Sequence, residues 1–280
     1  MRSALFTPAT SPERAAKLPG LGADAGIIDL EDAVPTDRKR EARALAHAVA
    51  EEVTASAPTF RLFVRVNPID SKWFENDVAE ALTSGLAGVF IPKVESPMEI
   101  KAARTALDSA GFGAFEIVAG IESGRGVLEA RAITDSGALS GVYFGAEDFL
   151  TDIGGVRTSD GLEVLYARSH VALAASVAGL SALDEIVADY QDDARFTADA
   201  TFGRSLGYTG KLCIHPRQVE LTNAAFTPSE EEIEQSRRIV EAYRSAEREG
   251  IGAISVDGAM VDEPMVRRAH DVLRAAGESN

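Results

Sequence analysis

Residues 115–127 read FEIVAGIESGRGV, and the way this stretch ends decides the fold. Phe115 to Ile121 is an apolar run of strand length. Without strict polar alternation, such a run reads as a parallel strand buried on both faces. It stops on a single carboxylate, Glu122, followed at once by Ser-Gly-Arg-Gly. The glycines at 120, 124 and 126 are expected to let the backbone turn and a ligand approach. A helix expected to start near Arg125 would offer its free N–H groups to an anion.

The same kind of run recurs along the chain. SALFTP (3–8), AGIIDLED (25–32), RLFVRVN (61–67), AGVFIPK (87–93), SGVYFGAED (140–148), SALDEI (181–186) and GKLCIHP (210–216) join 115–122 as strands. Helical patterns lie between them at 36–52, 76–84, 97–109, 161–178 and 193–206, and Pro97 suits a first helical position. This alternation predicts an α/β fold, a (β/α)8 TIM barrel. A doubly wound sheet is the competitor, but no G-x-G-x-x-G follows the first strand, which argues against its dinucleotide-binding form. The barrel is assigned to residues 1–225. A C-terminal extension, 226–280, holds a charged amphipathic helix at 228–249 with a cap-like Ser229, a short strand-like piece and a last helix at 264–276. A closed barrel has no need of this tail, so it is expected to pack on a neighbouring subunit.

Composition narrows the function. The chain has 280 residues, 45% hydrophobic and 26% charged, enough for a full core. A net charge of −16 repels nucleic acid and anionic membrane surfaces. No apolar run approaches the roughly 20 residues of a membrane helix, and the N-terminus lacks a signal-peptide pattern, so a cytoplasmic location is expected. The single cysteine, Cys213, permits no internal disulfide, and four scattered histidines do not build a zinc site. Any metal would be held mostly by oxygen, which favours magnesium, manganese or calcium.

In a barrel, chemistry sits at the C-terminal ends of strands. Those ends carry Asp29, Glu31 and Asp32, then Arg65, Lys93, Glu122, Glu147 with Asp148, and His215. Glu122 and Asp148 come from neighbouring strands. Two carboxylates so placed repel each other, and a divalent cation between them removes the conflict. Glu31 and Asp32 read equally well as site residues or as caps of the next helix. Arg65 reads as a salt-bridge partner of Asp29 or Glu31, or as a two-pronged clamp for a substrate carboxylate. Lys93 fits an ion pair better than a Schiff-base nucleophile. His215 reads as a core or capping residue, and Cys213 as packing.

FTPATSPERAAK, IIDLEDAV, VRVN, PKVES, IESGRGV, FGAEDF and GKLCIHPRQV occur in this order. Together they resemble the citrate lyase β-subunit and its CitE-like relatives in the HpcH/HpaI aldolase superfamily. DGAMVDEPMVRRA at 257–269 is similar to the tail of the same family. The resemblance implies a TIM barrel, usually a homotrimer or a dimer of trimers, with Mg2+ as cofactor held by Glu122 and Asp148. It implies that Arg65 binds the substrate carboxylate, that Asp262 acts as catalytic base in the neighbouring subunit's site, and that Arg14 contacts CoA phosphates. The implied reaction cleaves or forms a 3-hydroxyacyl-CoA, such as malyl-CoA, citramalyl-CoA or citryl-CoA, with a 2-oxo acid and an acyl-CoA as the other side. A thioesterase, a malate-synthase-like condensing enzyme and a non-catalytic acyl-CoA or organic-acid binder are the alternatives. Citrate lyase β-subunits themselves work on an acyl-carrier protein, and the tail aspartate fits the CoA group better. The acidic stretch DYQDDARFTAD (189–199) either shapes a substrate mouth or only covers the surface.

Overall fold

The computed structural model describes residues 1–248 and 250–278. Eight parallel strands close on themselves in sequence order: β1 (Ser3–Pro8), β2 (Ala25–Asp29), β3 (Arg61–Arg65), β4 (Gly88–Ile91), β5 (Glu116–Ile121), β6 (Gly141–Phe144), β7 (Ser181–Asp184) and β8 (Gly210–Cys213), with β8 pairing back to β1. Around them run α1 (Pro12–Ala15), α2 (Lys39–Ser56), α3 (Phe74–Glu80), α4 (Pro97–Ser109), α5 (Gly124–Leu128), α6 (Ala130–Thr134), α7 (Ala146–Ile153), α8 (Leu162–Ala178), α9 (Asp193–Ser205) and α10 (Pro216–Ala225). This is the TIM barrel expected from the strand count. Its interior is filled, not hollow: Ala4, Ala25, Ile27, Phe63, Phe90, Val118, Tyr143, Leu183 and Leu212, with every strand represented, form one buried cluster. Phe63 and Phe90 meet edge to face at 5.3 Å.

Six of the eight strands stop two to four residues short of the sequence-based ends, and the residues left over include Glu31, Asp32, Lys93 and Asp148 of the site. The clearest correction concerns Glu147 and Asp148, which do not end a strand. They lie in the first turn of α7, because β6 stops at Phe144 and the helix starts right after Gly145. A helix N-terminus is a favourable place for carboxylates. Thr36 opens a short 3-10 turn with no side-chain cap, so α2 itself begins later, at Lys39.

The first compact unit is Met1–Asn223, and a second begins at Ala224. The second holds α11 (Glu230–Arg248), an antiparallel hairpin of β9 (Ala253–Val256) and β10 (Ala259–Asp262), and α12 (Glu263–Ala275). Glu249, the expected end of the first of these helices, lies outside the described residues. Ser229 and Glu232 cap α11 reciprocally: each side chain accepts the other's backbone N–H. The hairpin turns on Asp257-Gly258, both at positive φ, the preferred pair for a two-residue turn. Ile233, Val240, Val261, Val266, Ala269 and Leu273 give this unit its own core. No described helix is long and apolar enough to cross a membrane.

Candidate active site

Strand register pairs Asp29, the last residue of β2, with Arg65, the last of β3. Their side chains meet two-pronged, Nε to Oδ1 at 2.7 Å and Nη2 to Oδ2 at 2.8 Å. The guanidinium also lies 3.2 Å from Glu31 Oε2 and 4.8 Å over the Phe6 ring. The salt-bridge reading of Arg65 is therefore realised, with both acids at once. Asp29 fixes the loop that follows by accepting the N–H groups of Glu31 and Ala33.

Glu31 is buried and Asp32 exposed, and neither caps a helix. Both face Lys93, whose Nζ lies 2.6 Å from Glu31 Oε1 and 3.4 Å from Asp32. The same ammonium is 3.2 Å from Asp148 Oδ1. Burial alone would lower the Lys93 pKa, but the bond to Glu31 and the charges of Glu31, Asp148 and Asp32 outweigh it and raise it. A lysine held protonated in this way is no Schiff-base nucleophile.

Glu122 follows β5 directly and is buried. Its Oε2 accepts the Lys93 backbone N–H at 3.0 Å. Its pKa is pushed up to about 7, chiefly by burial, with Arg65 opposing and the charges of Asp148 and Glu31 adding. Two residues make the space it occupies. A Cβ on Gly145 would stand 2.4 Å from Glu122 Oε1. A Cβ on Gly120 would stand 2.5 Å from the Tyr143 hydroxyl, so Gly120 admits that ring beside Glu122. Gly120, Gly124 and Gly126 all keep negative φ, so the expectation that they turn the backbone is corrected: they act through close approach. The expected anion site near Arg125 also fails. Helix α5 is five residues long, and its first N–H groups are already taken, Gly126 by Ser123 Oγ and Gly124 by Asp152.

Arg14, Asp29, Asp32, Arg65, Glu122 and Asp148 line one cavity of about 520 Å³ at the C-terminal rim. Tyr143, which the sequence analysis placed only within a strand, joins them; its buried hydroxyl stands beside the Glu122 carboxylate, and that contact opposes the rise in the Glu122 pKa and adds to the burial that raises its own. An adjoining cavity of about 610 Å³ shares Phe6, Pro8 and Arg14 and extends over Lys17, Tyr190 and His215. His215 stacks on Tyr190 at 4.7 Å, and its Nδ1 accepts the Arg217 N–H, the capping reading. Cys213 packs against Thr222, and burial pushes its thiol up to about 11. The acidic stretch is largely architectural: Asp192 caps α9, Asp193 pairs with Arg217, and Asp199 binds Lys211 and Arg168.

Asp262 belongs to the second unit, where it ends β10 and caps α12 at the Met265 N–H, 3.4 Å away. Among the described residues no group of three or more His, Cys, Asp or Glu side chains converges on a metal position. What the mouth does offer is oxygen donors and surplus negative charge. Asp29, Glu31, Asp32, Glu122 and Asp148 face Arg65, Lys93 and Arg14. A carboxyl driven up to about 7 by burial and like charges is an undercompensated one. Two carboxylates, with water and substrate completing the shell, is the habit of Mg2+, so the residues fit that ion.

A closed barrel whose C-terminal rim gathers acids and a guanidinium in one cavity defines a TIM-barrel enzyme with a polar, cation-seeking mouth. The family model for HpcH/HpaI aldolase/citrate lyase matches residues 2–216. A citrate lyase subunit beta-like protein of Deinococcus radiodurans is 46% identical over 275 residues, 98% of this chain and 96% of its own length. The human mitochondrial citramalyl-CoA lyase is 30% identical over 291 residues, 98% of this chain and 85% of that one. CitE of Mycobacterium tuberculosis, solved with magnesium, acetoacetate and coenzyme A, superimposes with a TM-score of 0.83 at 32% identity, covering 99% of this chain and 98% of that one. The chain belongs to the HpcH/HpaI aldolase/citrate lyase family. Within it, the chain is an enzyme of the carbon–carbon lyase kind.

Proposed function

We propose that this enzyme is a Mg2+-dependent lyase that splits a 3-hydroxyacyl-CoA, such as malyl-CoA, citramalyl-CoA or citryl-CoA, into a 2-oxo acid and an acyl-CoA, and runs the reverse condensation. The observation that carries the reading is the placing of Glu122, Asp148 and Arg65 around one cavity. Glu122 and Asp148 would hold the ion. When bound, Mg2+ supplies Lewis acidity toward the substrate's hydroxyl or keto oxygen. Arg65, already fixed by Asp29, orients the carboxylate of the acid half. A base, assigned to Asp262 of a neighbouring copy, takes the hydroxyl proton. The carbonyl forms, the carbon–carbon bond breaks, and its electron pair leaves as the enolate of the acyl thioester, which is then protonated. Arg14, at the junction of the two cavities, meets the CoA phosphates, and the adjoining cavity over Lys17 has room for the rest of the thioester arm.

A homotrimer in which Asp262 serves the next subunit is part of this proposal. Support comes from the outward side of α8, where Leu162, Tyr166, Leu173 and Val177 are exposed in a chain of net charge −16. Apolar surface of that kind is typical of covered faces.

The test is a panel of malyl-, citramalyl- and citryl-CoA, each with Mg2+ or with EDTA. Release of glyoxylate, pyruvate or oxaloacetate that EDTA abolishes is the expected result. Free CoA without a 2-oxo acid would make the enzyme a thioesterase, and no turnover of any thioester would overturn the lyase reading.

A further inference from the structure

Lys93 is held as no ordinary surface lysine is. It stands just beyond β4 with φ of 55°, in the left-handed region where a side chain costs roughly 1–2 kcal/mol. Among the described residues the other non-glycine residue at positive φ is Asp257, whose hairpin turn requires it. No hairpin turn requires it at 93, so contacts elsewhere must offset the strain. Those contacts reach both carboxylates assigned to the metal. The Lys93 N–H donates to Glu122 at 3.0 Å, and the ammonium lies 3.2 Å from Asp148. The ammonium is also 2.6 Å from Glu31 and 3.4 Å from Asp32.

We infer that Lys93 is a resident counter-ion: its ammonium neutralises Asp148 while no divalent ion is bound, and withdraws onto Glu31 and Asp32 when one arrives. This rests on the metal reading of Glu122 and Asp148. The physics is a competition for one patch of negative charge. Carboxylates crowded at the mouth repel each other, and one positive charge among them relieves part of that repulsion. An ammonium and a divalent ion cannot both crowd the same carboxylate. Glu31 and Asp32 are already within reach, so Nζ leaves Asp148 without losing its partners. The mouth thus stays assembled without metal, at the expense of metal affinity.

The experiment is calorimetric titration of Mg2+ into the metal-stripped full chain, in the wild type and in Lys93→Met, Lys93→Gly and Lys93→Arg. Met and Gly remove the charge and are expected to bind Mg2+ about tenfold more tightly, whereas Arg stays near wild type. Met is also expected to lower the metal-free Tm and to recover it when Mg2+ is added. Should Met fail to fold, Gly carries the test, since it also relieves the left-handed strain. A lysine that merely ties two loops together predicts unchanged or weaker Mg2+ binding in Met and Gly, and that result overturns the inference. If the wild type binds no Mg2+, the metal reading falls and the inference falls with it, so the two failures are told apart by the wild-type titration.

Discussion

Replacing Gly145 with alanine tests how tightly the barrel wall holds Glu122. Gly145 has φ of −108° and ψ of 96°, so alanine meets no backbone objection. Space is the obstacle. The new Cβ would lie 2.4 Å from Glu122 Oε1 and 2.6 Å from its Cγ. Retreat is blocked on both sides. Gly145 is tied through its N–H to Ile121 and through its carbonyl to Phe149, at 3.1 and 3.2 Å. Glu122 is tied to the Lys93 N–H. Overpacking of this kind costs about 1–3 kcal/mol, or roughly 2–10 °C in the Tm of a domain this size. The strain relaxes by displacing the Glu122 carboxylate from the position it holds against Gly145. Differential scanning calorimetry is expected to show the lower Tm, and Mg2+ titration a loss of at least about tenfold in affinity. Gly154→Ala is the control: with φ of 69° it is strained, but nothing lies within 4 Å of its Cβ. That variant should lose stability and keep Mg2+ binding. If Gly145→Ala binds Mg2+ like the wild type, Glu122 is not fixed by this wall and the ligand assignment loses its structural basis.

Two further predictions follow from the site. In metal-free protein Glu122 titrates at about 7 against an ordinary 4.5, mainly through burial. A folded pKa raised above the unfolded one gives stability that is full below the unfolded value and lost as pH rises through the folded one, a swing of about 3 kcal/mol. Glu122→Gln escapes that loss, so in EDTA at pH 8 it should be the more stable protein by urea denaturation. The gap should close near pH 4.5, and a wild type as stable as Gln at pH 8 would contradict the burial argument. Asp262→Asn keeps an N-cap for α12 while removing the carboxylate proposed as base, so turnover should collapse with the Tm held. Asp262→Ala should lose both, and Asn with wild-type turnover would reduce the tail to architecture.

The barrel was legible because its strands are buried on both faces and therefore read as unbroken apolar runs, FEIVAGI among them. Their ends were less legible. Residues such as Leu30 and Glu31 follow the strands so smoothly in composition that only the last ladder pairing, Asp29 with Arg65, separates them. Helix α7 stayed hidden because Ala146–Ile153 runs on directly from β6 after one glycine, with no loop to announce it. Glu122, Asp148 and Arg65 showed themselves as charges after apolar runs. Tyr143 did not, since an aromatic residue in a buried strand is ordinary, and its polar end matters only because Gly120 lets it reach Glu122. The left-handed backbone of Lys93 leaves no mark in composition at all.

Charge at a strand end is not by itself a mark of chemistry, and this barrel holds the counter-example. Asp184 ends β7, and Glu185 follows it, both as deeply buried as Glu122. Yet Asp184 is bound by Arg168 at 2.8 and 2.5 Å and by Lys211 at 2.9 Å. Asp199 takes a second bond from each of these cations, and Glu185 is bound by Arg157 at 2.9 Å. Asp184 and Asp199 thus share two cations, and for this pair the cost of burying charge is met by pairing, whereas Glu185 shares Arg157 with Glu147 and Glu163, each 3.6 Å from that guanidinium. At the mouth the acids outnumber the cations, and burial makes the ionised form of Glu122 expensive despite the Lys93 N–H and the Tyr143 hydroxyl beside it. A structural cluster is compensated by the chain alone, whereas the mouth is left wanting positive charge, and the difference is visible only when partners are counted in three dimensions. Neutralising Asp184 should therefore unravel the barrel wall, while neutralising Glu122 should steady it and silence the enzyme.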